Sequence, residues 1–166
     1  VKTPEKPDLS GCGWPVALQV PVDSSWRSGF YVVVVRVRDD DGGVFEREHF
    51  VVVKPSQPAQ QTAIAFIVST ATMNAYNDWG GGNSYHGVGS TPRVKKARPI
   101  TSLLRPWSRG LVRLPLGAPR AAFTGELAPF AQPQYPQHAW AHHNGYARDY
   151  GDASWALYGK LFIEWA

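Results

Sequence analysis

Cysteine is almost missing from this sequence: Cys12 is the only one in 166 residues. That excludes an internal disulfide framework and any zinc centre built on several thiolates. It fits a reducing compartment, and a cytoplasmic protein is expected. Long apolar runs are also missing. None approaches the ~20 residues that cross a bilayer, so no membrane association is expected. The opening VKTPEKPDLSG is polar and proline-containing and does not read as a secretory signal. Three catalytic signatures are absent. There is no GxxxxGK[ST], which excludes a phosphate loop. There is no HEXXH, since the segment 138–142 reads HAWAH. There is no GxSxG around Ser69, Thr70 or Thr72, so no nucleophile elbow is expected.

What is present points to an ordered, turn-rich chain. Hydrophobic residues make up 43%, too many for a disordered composition. Sixteen glycines and fourteen prolines predict many turns and few long helices. The net charge is +4, and the basic excess lies mainly in 93–113. That stretch has neither an aromatic-interleaved RNA motif nor a helix-turn-helix pattern, so nucleic acid is not an expected partner. The chain starts without methionine and stops inside an apolar helical pattern. An excerpt of a longer chain is expected.

The N-terminal third reads as β. VALQVPV, 16–22, alternates apolar and polar residues. SGFYVVVVRVRDDDGGVFEREHFVVV reads as a hairpin, with strands at 30–37 and 44–53. Its turn, DDDGG, carries the Asp-Gly that tight turns favour. These would be the last strands of an antiparallel sandwich. KPSQPAQQ, 54–61, is a linker by composition. AIAFIV, 63–68, is a short continuous apolar run, as in a buried parallel strand. NAYNDWGGGNSYHG, 74–87, follows it, at the strand end where open α/β sheets place ligands.

Little helix is expected over 87–134, and 130–152 reads as an aromatic-rich loop. The segment 152–166 reads as a helix, with Asp152 as cap and Trp155, Leu157, Tyr158, Leu161, Phe162 and Trp165 on one face. The fold class is α/β with an N-terminal β segment. Residues 1–54 form terminal sandwich strands, and 62–166 form the first part of an α/β domain.

Tyr76 and Tyr85 bracket the glycine-rich loop. A phenol with a pKa near ~10 serves as a general acid or, once ionised by a positive field, as a hard oxygen ligand. Both could instead pack on the loop and donate a hydrogen bond. The glycines at 80–82 either let backbone approach a ligand or form an ordinary turn. Asn77 is either an orienting group or a turn residue. His138, His142 and His143, with Asp149 and Asp152, are either metal ligands or surface groups.

Taken together, SGFY, HFVVV, ATMNAYNDWGGGNSYHG and SLLRP resemble the large (β) subunit of N,N-dimethylformamidase and its relatives. The resemblance covers about 26–106, and WALYGKLFIEWA matches the following helix more loosely. Here the loop carries one extra residue between its glycines and serine. The resemblance implies a β-sandwich-like segment feeding a domain like the class I glutamine amidotransferases. It also implies an amidohydrolase whose mononuclear Fe(III) is held by two tyrosines and one glutamate. Tyr76, in AYN, matches one tyrosine; Tyr31, in SGFY, is the choice for the other, with Tyr85 in reserve. Asn77 would join Tyr76 at the catalytic centre, and Trp79, Tyr85 and Trp107 would wall the substrate pocket. The family's glutamate belongs to a GHxEYW-like segment that this sequence does not contain, and Glu164 does not match it. The implied partners are a small amide substrate and an oligomeric assembly with a small subunit. The reading from another class is a non-catalytic β-rich binding module, using its seven tryptophans on carbohydrate.

Overall fold

The computed structural model describes residues 2–57, 64–85, 100–114, 116–118, 136–151, 153 and 155–166. Its elements run α1 (Pro7–Ser10), β1 (Gly29–Arg38), β2 (Val44–Val53), α2 (Thr70–Tyr76), α3 (Pro136–Asn144), a π-helical turn (Trp155–Gly159) and α4 (Lys160–Trp165).

The hairpin forms where the sequence predicts it. β1 and β2 pair antiparallel from Gly29 opposite Val53 to Arg38 opposite Val44. Asp39 closes the turn: its N–H donates to the Gly43 carbonyl (2.9 Å), and its own carbonyl accepts from Gly42 (3.1 Å). Side chains alternate across the pleat, so Phe30, Val32 and Phe50 share one face and Tyr31, Val33 and Val51 the other. The first face is the one that docks. Phe30 stacks on Phe50 (4.8 Å between ring centroids) and on Trp155 (3.6 Å), and Phe50 stacks on Trp107 (5.2 Å).

Two apolar clusters hold the described residues together. One joins Phe50, Met73, Val112, Trp155 and Ala156. The other joins Leu111, Ala141, Ala147, Tyr150 and Ala153. Trp107 and Leu114 pack against both clusters, which makes the 107–114 segment their common wall. Hairpin residues therefore share a core with residues beyond 62, across the expected domain boundary.

Several expectations are corrected. Residues 16–22 form no strand; their apolar side chains are exposed, Val16 at 74%. Residues 64–69 form no strand either, and Ile67 is 86% exposed. An apolar run becomes a sheet strand only where backbone partners flank it, and the one sheet among the described residues has two strands. The residues expected at that strand's end instead open α2, whose Met73 is 1% exposed.

The expected loop over 130–152 contains α3. Pro136 starts it, and Gly145 (φ 67°) follows its last residue, with Tyr146 N–H returning to the Ala141 carbonyl at 2.9 Å. The C-terminal helix is two pieces, a π-helical turn and α4, and Trp165 is 79% exposed. Its expected cap, Asp152, lies outside the described residues, as do 58–61 of the linker and most of 87–134.

Candidate functional site

The loop after α2 is built on a buried arginine. Arg105 is 5% exposed and donates from Nη1 to the carbonyls of Trp79 (2.7 Å) and Gly82 (3.0 Å). Its Nη2 donates to the Asn77 carbonyl (2.8 Å), and its Nε to the Ser102 carbonyl (3.0 Å). A planar fork of fixed donors suits this work, because it satisfies several turn carbonyls from one point. Burial pushes the Arg105 pKa down, and the carboxylates of Asp8 and Asp78 oppose that. A guanidinium stays charged through any ordinary pH.

Asn77, 1% exposed, is the second anchor. Its Oδ1 accepts from the backbone N–H of Trp79 (3.2 Å) and Ser108 (3.0 Å), and Ser108 Oγ, whose one proton it shares with Asp78, lies 3.0 Å away. Its Nδ2 donates to the Pro106 carbonyl (3.0 Å). Asp78 accepts from Ser108 Oγ (2.6 Å) at Oδ1 and from the Arg148 N–H (2.9 Å) at Oδ2. Asn83 donates to Asp149 Oδ2 (3.1 Å) and accepts from the Tyr85 N–H (2.8 Å). The polar residues of this loop thus bind one another and the 105–108 segment.

Gly80 has a different task. Its φ is 89°, and a Cβ there would stand 2.8 Å from Pro7 Cγ and 3.0 Å from the Asp8 nitrogen. The bare backbone lets α1 lie against the loop. On the same side Trp14 meets Trp79 edge-on at 5.8 Å.

This scaffold brings two of the expected tyrosines together. Tyr76 and Tyr85 stack at 4.8 Å between centroids, with ring planes 28° apart. Tyr76 is half-buried and Tyr85 is 51% exposed. Tyr31 lies on the undocked face of the hairpin, where its hydroxyl donates to the Arg27 carbonyl (2.8 Å) and its ring meets Trp26 (4.9 Å). Trp79 and Trp107 line one cavity of about 230 Å³ with Asp78, Ser108 and Arg109. Tyr85 is not part of that wall.

The histidine cluster separates. His138 faces Asp149 at 3.5 Å, while His142 and His143 are exposed. Among the described residues, no group of three or more His, Cys, Asp or Glu side chains is arranged to hold a metal ion.

Sequence reasoning missed Arg105 and Ser108, which carry the most bonds to the loop. The one available signal was SLLRPWS itself, a short proline-containing stretch that holds both residues. Among the described residues no helix is long and apolar enough to cross a membrane. No curated protein and no solved structure matches the chain. The family model described as N,N-dimethylformamidase beta subunit-like, C-terminal, matches residues 1–155, and the chain belongs to that family.

Proposed function

We propose that this chain is part of an iron-dependent amidohydrolase that cleaves the C–N bond of a small amide. The stacked Tyr76–Tyr85 pair on an internally braced loop is the observation that carries this reading. Each phenol would lose its Oη proton to become an anionic oxygen donor, the ligand type that suits ferric iron. A ferric ion held there supplies Lewis-acid polarisation of an amide carbonyl and activation of water at neutral pH. Arg105, Asn77 and Ser108 act before any chemistry, by fixing the loop so that both phenols are presented together. Asn77 is thus a positioning residue. Trp79 and Trp107 supply apolar walls for the substrate's alkyl groups.

In this reading the hairpin is the closing part of a sandwich, and the residues after it begin an amidotransferase-like domain. The family is named for a β subunit, which supports assembly with a partner subunit. The sequence contains no GHxEYW-like segment. This chain alone is therefore expected to bind ferric iron through its phenols without turning over N,N-dimethylformamide.

The experiment is ferric titration followed by visible absorption. A broad charge-transfer band that weakens in Tyr76→Phe supports the reading. Absence of any band, together with binding of oligosaccharide, favours the non-catalytic module. That second reading draws on Trp14, 39% exposed beside Trp79.

A further inference from the structure

Two adjoining cavities, of about 380 and 230 Å³, lie between β2 and the 107–110 segment. They share Arg47, Trp107, Ser108, Arg109 and Tyr146, so they form one cleft. The smaller is also lined by Asp78 and Trp79 of the glycine-rich loop. The cleft is lined by three arginines, Arg47, Arg109 and Arg113, and by three carboxylates, Glu46, Glu48 and Asp78, but their pairing is uneven. Arg113 is matched by Glu48 (2.7 Å) and Glu46 (3.5 Å), and Glu46 also pairs with Arg36. Asp78 is occupied by Ser108 Oγ and the Arg148 N–H.

Arg47 and Arg109 meet only neutral acceptors among the described residues. Arg47 sits on the hairpin face opposite Glu46 and Glu48, yet its Nη1 reaches back to the Glu46 carbonyl (2.7 Å). Arg109 Cζ lies over the Tyr146 ring, 4.0 Å from its centroid, with Nη2 on the Tyr146 hydroxyl (2.8 Å) and Nη1 near the Asn144 carbonyl (3.3 Å). Each guanidinium has five N–H donors, so both keep donors for an anion. The stacking on Tyr146 also holds the Arg109 fork in place, which lowers the ordering cost of a bidentate contact.

We propose that this cleft binds the carboxylate of a small organic anion with a planar or apolar body, held by Arg47 and Arg109 against Trp79 and Trp107. The amide recognised beside the loop is then an acidic amide, carrying a carboxylate away from the bond to be cleaved. The binding claim stands on the cleft alone; its role in substrate choice rests on the amidohydrolase reading.

The test uses metal-free chain, titrated calorimetrically with phenylacetate and with its neutral isostere phenylacetamide. Phenylacetate binds roughly tenfold more tightly, the increment expected for charge-assisted hydrogen bonds. Arg47→Gln and Arg109→Gln each weaken phenylacetate about five- to tenfold and leave phenylacetamide unchanged. Arg38→Gln, an exposed arginine at the end of β1, changes neither. Arg47 is exposed and outside both apolar clusters, so Arg47→Gln carries the test if Arg109→Gln unfolds. Equal binding of acid and amide, no binding of either at millimolar concentration, or an equal effect of Arg38→Gln overturns the proposal. Because no iron is present, these outcomes are independent of whether Tyr76 and Tyr85 hold a metal.

Discussion

Arg105 Nη1 lies 2.7 Å from the carbonyl oxygen of Trp79, a residue 26 positions earlier in the chain. That one contact ties the SLLRPWS segment to the glycine-rich loop, two further donations from the same side chain, to Gly82 and Asn77, reinforce it, and a third, to Ser102, braces the segment itself. Removing the side chain leaves buried carbonyls without donors. Arg105→Ala is expected to cost roughly 3–5 kcal/mol in a denaturant titration. Arg105→Lys should recover little, because an ammonium cannot reproduce the planar fork.

Asn77→Asp tests the second anchor without changing its shape. The new carboxylate would put an oxygen against the Pro106 carbonyl, where Nδ2 now donates at 3.0 Å. Burial and the facing Pro106 carbonyl oppose ionisation more than the Trp79 and Ser108 N–H groups on the other oxygen favour it, so the folded pKa is raised above the unfolded value. Its neutral form is then tolerated at low pH, and stability is lost as pH rises through the unfolded and then the folded pKa. The variant should melt close to wild type in acid and progressively lower towards neutral pH. A constant difference at all pH values would argue against this hydrogen-bond pattern.

Gly80→Ala is expected to destabilise by about 1–3 kcal/mol, since φ is 89° and the added methyl meets Pro7 at 2.8 Å. Gly81→Ala is the companion variant. It shares a positive φ of 110° but has no atom within 4 Å of its Cβ, so it reports backbone strain alone. The difference between the two melts measures the contact with α1.

Two groups titrate later in the folded chain than in the unfolded one. Burial pushes up the Cys12 thiol, partly offset by the Arg105 charge, and burial also raises the Tyr150 phenol. Both folded pKa values exceed the unfolded ones. The stability they contribute is present below the unfolded pKa values, ~8.5 and ~10, and is lost as pH rises through the folded ones. Unfolding titrations should show stability falling on the alkaline side. Native Cys12, 9% exposed, should also be alkylated more slowly at pH ~8 than in denatured chain.

The hairpin was legible because its signals are local: a β-branched run, an Asp-Gly turn and a second run. α3 was equally local, with Pro136 as its first residue and Gly145 just after it, but the prolines and aromatics around it favoured a loop reading. The run at 63–68 misled because a buried strand depends on partners elsewhere in the chain. Tyr76 and Tyr85 were legible as residues, but their stacking was not. The loop that carries them is held by Arg105, which reaches the Gly82 carbonyl from 23 positions away, and by Asn83, which holds the Tyr85 N–H locally and Asp149 across the fold. Periodicity carries no trace of such bonds.

The central claim is that the loop presents Tyr76 and Tyr85 together to a ferric ion. Resonance Raman spectroscopy of the ferric-loaded chain, excited in the charge-transfer band, tests it most directly. The account predicts tyrosinate ring modes that weaken in Tyr76→Phe and in Tyr85→Phe and persist unchanged in Tyr31→Phe. Modes that survive both loop substitutions, or that vanish only with Tyr31→Phe, would contradict it.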